Sequence, residues 1–331
     1  MDFSSIIGQQ EVIDSLKNSI ESEKVGHAYI FAGPTGIGKK TVARIFASML
    51  LCSNSGVAGS CGECLSCRLA ENNSNPDFHE VNPEGASIGV DEIRDVLSNI
   101  VVRPMYGKKK VYLIIDAERM TVQAQNSLLK TLEEPPSYGV IILTTSNYGA
   151  LLETIRSRTI KLSFKKNSPL EIKALLEGRF GNTIKAVDFV TSYADGIIGT
   201  ALKLAGSEEF IALREKTLEL LQKLRRSKLS TVFDQYPFFE ENKEDVDVIL
   251  DIALLFFRDL LAYKNTGDEN ILINSDKKDI ILNNASVYST DRLIRSVETI
   301  ENTRKIIKQN ANYQLSIEVM LMKLQEEDVE W

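Results

Sequence analysis

Residues 33 to 41 read Gly-Pro-Thr-Gly-Ile-Gly-Lys-Lys-Thr. Gly33, Gly38 and Lys39 meet the phosphate-loop pattern G-x-x-x-x-G-K-[ST]. Such a loop turns its backbone N–H groups toward phosphate oxygens at the start of a helix, and its lysine adds charge. The last slot departs from the pattern. It should offer a hydroxyl to Mg²⁺, and it holds Lys40. An ammonium has three donors and no acceptor, so it cannot ligate a cation. Thr41 carries a hydroxyl one residue late, and one residue turns a helical side chain by about 100°. Gly33, Thr35, Gly36, Gly38, Lys39, Lys40 and Thr41 are the candidates for holding ATP or ADP. A loop left empty is the alternative, and in either case Mg²⁺ lacks its usual hydroxyl.

The second constellation is Cys52, Cys61, Cys64 and Cys67, the whole cysteine content of the chain. The spacing C-x8-C-x2-C-x2-C lets four thiolates converge on one tetrahedral ion, and a closed Cys₄ set leaves no position for water. The reading is structural zinc. Disulfides are disfavoured in a reducing compartment. The proline that closes a bacterial ferredoxin run is absent, since Arg68 follows Cys67.

The elements that must position these groups are legible around them. His27 to Phe31 is a short apolar run leading into the loop. After Lys39, Val42, Ile45, Phe46, Met49 and Leu50 recur at helical spacing. Asp91 to Ile100 predicts a helix. Val111 to Ile115 predicts a buried parallel strand ending in Asp116, placed as an Mg²⁺-side aspartate should be. Thr121 is a cap for the next helix, which must stop before Pro135 and Pro136. Val140 to Thr145 predicts another strand. Alternating strands and helices indicate an α/β domain with a mostly parallel sheet over residues 1–165. Pro169 to Leu176, Ile184 to Tyr193 and Thr200 to Ala205 predict short helices. Longer helices follow from about 208, among them one with Ile249, Ile252, Phe256, Leu260 and Tyr263 on a face. The last helix is apolar over a wide arc, from Leu315 to Leu324, which calls for burial in a bundle or an interface.

Composition sets the outer bounds. Hydrophobic residues are 43% and charged ones 26%, as in ordinary globular proteins, and 331 residues are enough for two or three domains. The net charge of −7 divides into −1 over residues 1–165 and −6 over 166–331, so charge alone does not announce a DNA binder. Lys108-Lys109-Lys110, Lys161 and Lys165-Lys166 read as solvated loops, with phosphate contact as the alternative. No basic-then-apolar leader is visible at Met1 to Ser5, and no apolar run is long enough to span a bilayer. A cytoplasmic location without membrane association is the expectation.

Several stretches together resemble a known family. Phe3-Ser4-Ser5-Ile6-Ile7-Gly8-Gln9, His27-Ala28-Tyr29-Ile30-Phe31, the four-cysteine insertion, Asn126 to Pro136 and Ile155-Arg156-Ser157-Arg158 are similar to the AAA+ ATPases of the bacterial DNA polymerase III clamp loader. Asn310 to Leu324 resembles its collar helix. The resemblance implies an AAA+ core with a zinc module over 1–165, a helical lid over 166–207 and an all-α collar over 208–331. It implies a hetero-oligomer with motor subunits of the gamma or tau kind and a delta subunit. The sliding clamp and primer–template DNA are the further partners it implies.

Chemistry then separates two roles within the family. A motor needs a hydroxyl on Mg²⁺, an acid beside the metal-side aspartate and an arginine from the lid. This chain has Lys40, Ala117 and, in the lid's arginine slot, Gly199. Glu118 is expected to point away, as the next residue of an extended segment does. Three departures at three catalytic parts imply a non-hydrolysing stator. An ATP-hydrolysing motor using Thr41 or Glu118 is the alternative. Arg158 follows Ser157 as in the family's Ser-Arg-Cys motif, with Thr159 in the last place. The resemblance implies that it reaches a neighbouring subunit's ATP as an arginine finger. A local ion pair is the plainer reading.

Overall fold

The computed structural model describes residues 2–325, apart from 55, 57, 58, 73, 84, 182–185, 227 and 228. The expected helix start at Ile184 lies outside the described residues. The chain forms two compact units. One is Met1–Leu175 with Ala194–Thr200; the other is Leu176–Tyr193 with Ala201–Trp331. The stretch expected to be a lid contributes to both.

The first unit carries α1 (Gln10–Glu21), β1 (Ala28–Ala32), α2 (Lys39–Leu51), α3 (Leu65–Glu71) and β2 (Phe78–Val81). It continues with α4 (Val90–Ile100), β3 (Lys110–Ile114), α5 (Val122–Glu133), β4 (Gly139–Thr145), α6 (Glu153–Arg156) and β5 (Ile160–Ser163). The strands form one sheet in the order β2-β3-β4-β1-β5, and every pairing is parallel. Every residue of β1, β3 and β4 is buried, as expected of continuous apolar runs covered on both faces. On one face Phe31, Leu113 and Ile142 pack with Val42, Phe46 and Met49 of α2. On the other, Ile30, Ile114 and Leu143 pack with Ile93, Leu128 and Leu132 of α4 and α5. The Thr121 hydroxyl caps α5 by accepting from Ala124 N at 3.2 Å, and α5 ends before Pro135 and Pro136.

The edge strands β2 and β5 were not foreseen. Both are four residues long and neither is buried throughout, so neither carries a continuous apolar run. The loop between α4 and β3 is fixed by a buried acid. The Asp77 carboxylate, 1% exposed, accepts from Met105 N at 2.7 Å and Tyr106 N at 2.8 Å. Gln9, at the end of the N-terminal segment, accepts from Lys165 N at 3.0 Å and donates to Lys165 O at 2.6 Å, clipping that segment to the chain leaving β5.

Two helices straddle the division, α7 (Pro169–Phe180) and α9 (Ile198–Ala205). The second unit adds α8 (Val187–Tyr193), α10 (Glu208–Arg226), α11 (Tyr236–Glu241), α12 (Val246–Thr266), α13 (Lys278–Ala285), α14 (Thr290–Lys308) and α15 (Tyr313–Gln325). It is helical throughout its described residues. Ile249, Ile252, Phe256 and Leu260 of α12 are buried as their spacing predicts. In α15 the wide apolar arc divides: Ile317, Met320, Leu321 and Leu324 are buried, while Leu315 and Val319 are exposed. Among the described residues no helix is long and apolar enough to cross a membrane.

Candidate functional site

The parallel sheet places the phosphate loop and Asp116 at the same edge, because each follows the C-terminal end of a strand. Gly33 N donates to Thr145 O at 3.1 Å, tying the loop to the end of β4. Gly36 and Gly38 have φ of +80° and +103°, the left-handed region that glycine enters without a Cβ penalty. Gly38 then opens α2.

The loop's charged groups face the protein's own atoms. Lys39 is 7% exposed, and its ammonium donates to Gly33 O at 2.7 Å and Pro34 O at 2.8 Å. Burial pulls its pKa down, with the charges of Glu118 and Asp116 acting the other way. Lys40 turns to the sheet edge. Its ammonium lies 2.8 Å from Glu80 Oε1 and 2.9 Å from Asn82 Oδ1. Arg44, one turn along α2, holds the same carboxylate through Nε at 2.7 Å and Nη2 at 2.9 Å. Burial pushes the Glu80 carboxyl up, but Arg44, Lys40 and Asn82 outweigh it and bring it down to about 2. Thr35 and Thr41 are exposed.

The segment Ala194–Thr200, expected to belong to a lid, lies in the first unit and meets the loop directly. Gly199 N donates to Gly36 O at 2.9 Å. A Cβ at Gly199 would stand 2.8 Å from that oxygen and 3.2 Å from Gly36 Cα. Glycine in the family's arginine slot thus both lacks a guanidinium and permits this approach.

Asp116 is half-buried, in the left-handed region at φ 49°, and its N–H donates to Thr144 Oγ1 at 3.1 Å. Ala117 is fully buried. The segment Ala117–Arg119 is a 3-10 turn, not the extended one expected. The turn brings Glu118 Oε1 within 2.9 Å of Ser146 N and 2.5 Å of Ser146 Oγ. Burial pushes this carboxyl up, and the Ser146 hydroxyl and N–H more than offset it, so its pKa is lowered. Glu118 braces the tip of β4 and remains close enough to act on Lys39 electrostatically.

The four cysteines converge. Their Sγ atoms all lie within 4.8 Å of one another. Cys61 to Cys67 is 4.0 Å and Cys64 to Cys52 is 3.9 Å. Tetrahedral zinc with Zn–S of about 2.3 Å sets sulfurs about 3.8 Å apart, so the donor set fits. Cys61 N and Cys64 N donate to Cys52 Sγ and Cys61 Sγ at 3.3 and 3.4 Å; the bond from Cys64 N lowers the Cys61 thiol, while burial keeps the Cys52 thiol raised.

Arg158 lies just beyond α6. Nη1 donates to Thr154 O at 2.9 Å, and Nη2 pairs with Glu133 Oε1 at 2.8 Å. Within this chain the plainer reading, a local ion pair, therefore describes its contacts. The Glu133 contact is not legible in the sequence, although the run Asn126 to Pro136 contains that residue. The basic clusters are largely engaged locally. Lys109 and Lys110 donate to Ser137 O and Asn99 O, Lys165 and Lys166 pair with Glu11 and Asp195, and Lys161 lies over Tyr148.

Comparison with known proteins places this arrangement. Residues 8–168 match the family model described as DNA polymerase III, delta subunit, and residues 208–326 match its C-terminal counterpart. DNA polymerase III subunit delta′ of Bacillus subtilis (strain 168) is 32% identical over 323 residues, covering 96% of each chain. DNA polymerase III subunit tau of the same strain is 26% identical, covering 97% of this chain and 61% of its own length. A solved gamma-subunit-related protein of Thermotoga maritima covers 95% of this chain and 98% of its own, at a TM-score of 0.48 and 21% identity.

Proposed function

Since the chain belongs to the family of DNA polymerase III delta′ subunits, which act in DNA replication as part of the clamp loader, we propose that it is a stator: a wall of the assembly that does not hydrolyse ATP itself. The observation that carries this reading is the 2.9 Å bond from Gly199 N to Gly36 O. Where a motor brings an arginine to the phosphates, this chain lays a backbone amide on the phosphate loop. Lys40, drawn to Glu80, supports the same reading, because the Mg²⁺ slot offers no oxygen.

The stator still serves catalysis through Arg158. Its permanently charged guanidinium is partly exposed and suited to the charge that develops on a neighbouring subunit's transferring phosphate. The partners are the motor subunits, the delta subunit, the sliding clamp and, through the assembly, primed DNA. Residues 208–331 serve as the collar, residues 166–207 as the lid and residues 1–165 as the core. Cys52, Cys61, Cys64 and Cys67 would hold Zn²⁺, which would cross-link the ends of their loop without taking part in catalysis. The relatedness to a tau subunit keeps the motor reading in view.

The deciding experiment is ATP turnover by the purified chain with Mg²⁺ present. No turnover is expected. Turnover abolished by Lys39→Ala would overturn the stator reading. In the reconstituted assembly Arg158→Ala should leave association intact and slow the motor's ATPase.

A further inference from the structure

Arg158 is held at two points by elements that meet beside the sheet. Thr154 O belongs to α6, and Glu133 is the last residue of α5. The guanidinium has five N–H donors. Among the described contacts only Nη1 and Nη2 are engaged, and Nε is not. The pair is accessible, with 36% of the Arg158 side chain and 52% of the Glu133 side chain exposed. So open a pair contributes only about a 1.4- to 5-fold factor to an equilibrium. It is strong enough to choose a resting position for the arginine and weak enough to be exchanged.

We infer that Glu133 is the counter-ion Arg158 gives up when it engages the neighbouring subunit's nucleotide. This rests on the reading of Arg158 as a finger in trans. A terminal phosphate carries more charge than one carboxylate and presents several acceptor oxygens, so it wins the guanidinium once within reach. Until then Glu133 keeps the side chain folded against α5 and α6. Glu133 is accordingly a positioning residue. It touches no reacting atom, and it sets the nucleotide concentration at which the finger engages.

The test is steady-state ATPase by the assembly reconstituted from the full chain with its motor and delta subunits. Glu133→Gln removes the charge and keeps the size. The KM for ATP should fall about 1.4- to 5-fold with kcat unchanged. The gap between the variant and the natural chain should close as salt rises from about 0.05 M to about 0.5 M, because screening already weakens the natural pair. Glu133→Asp, which keeps the charge, should lie between them. With Arg158→Ala in the background, Glu133→Gln should change nothing. An unchanged or raised KM in Glu133→Gln, where Arg158→Ala alone still slows turnover, overturns the Glu133 inference and leaves the finger standing. A KM that falls even without Arg158 overturns it as well. If Arg158→Ala alone has no effect, the finger reading fails first.

Discussion

Gly199→Ala puts the contact between Gly199 and the phosphate loop under direct test. The new Cβ would stand 2.8 Å from Gly36 O, closer than real Cβ contacts come, and the obstacle is backbone that cannot rotate away. The 2.9 Å bond from Gly199 N must lengthen or break. Losing it costs about 0.5–1.5 kcal/mol, and overpacking adds about 1–3 kcal/mol. Alanine's better helix propensity returns up to about 1 kcal/mol. The net is a destabilisation of the closed loop by about 1–3 kcal/mol, at least several-fold in its opening equilibrium. Hydrogen exchange followed by mass spectrometry should show faster exchange in peptides covering residues 33–41 and 196–205, with Tm lower by about 2–6 °C. Gly178→Ala is the control. It also lies within a helix, with nothing within 4 Å of its added Cβ, and it should stabilise by about 0.5–1 kcal/mol. Unchanged exchange and Tm in Gly199→Ala would refute the claim that this amide closes the loop.

Three further expectations follow from other contacts. Glu80→Gln should destabilise the chain at pH 7 by about 1–2 kcal/mol, a figure discounted because Lys40 and Arg44 are partly exposed. The folded pKa of Glu80, about 2, lies below the ordinary 4.5, so its contribution is complete above pH 4.5 and fades as pH falls toward 2. Urea unfolding at pH 7 and pH 3.5 should show the gap narrowing; a gap independent of pH would contradict the pairing. Cys64→Ser should lower bound zinc, read by elemental analysis, and reduce Tm, while a chelator should do the same to the natural chain and leave the variant little changed. Asp77→Ala should destabilise by about 2–4 kcal/mol, because it leaves two N–H groups without their buried acceptor. A Tm within a degree of the natural chain would show that the loop finds other partners.

The parts of this molecule that could be read from sequence are those fixed by neighbours in the chain. The run from His27 through Lys39 had to be strand, loop and helix, because apolar spacing and glycine freedom act locally. The cysteine quartet was legible for the same reason. Lys40 was legible as a missing ligand but not as a partner of Glu80, which lies on a four-residue strand without a continuous apolar run. Glu118 departs from the direction an extended segment implies because Asp116 enters the left-handed region and starts a 3-10 turn. Gly199 was noted as a lost arginine, yet its close approach to Gly36 depends on tertiary placement. The pairing of Glu133 with Arg158 joins the end of one helix to the turn after another, and no local pattern encodes it.

The link from Lys40 to Glu80 also bears on how easily the metal slot could be rebuilt. Restoring a hydroxyl with Lys40→Thr would supply the metal ligand and, in the same step, strip one of the two cations from an acid that is 12% exposed. It would still leave Gly199 capping Gly36 and alanine at position 117. On the stator reading, Lys40→Thr alone therefore carries a stability cost and returns no catalysis. Lys40 is part of what keeps the sheet edge in order, so position 40 couples the phosphate loop to β2. On the stator reading, stability and metal binding make opposite demands on position 40.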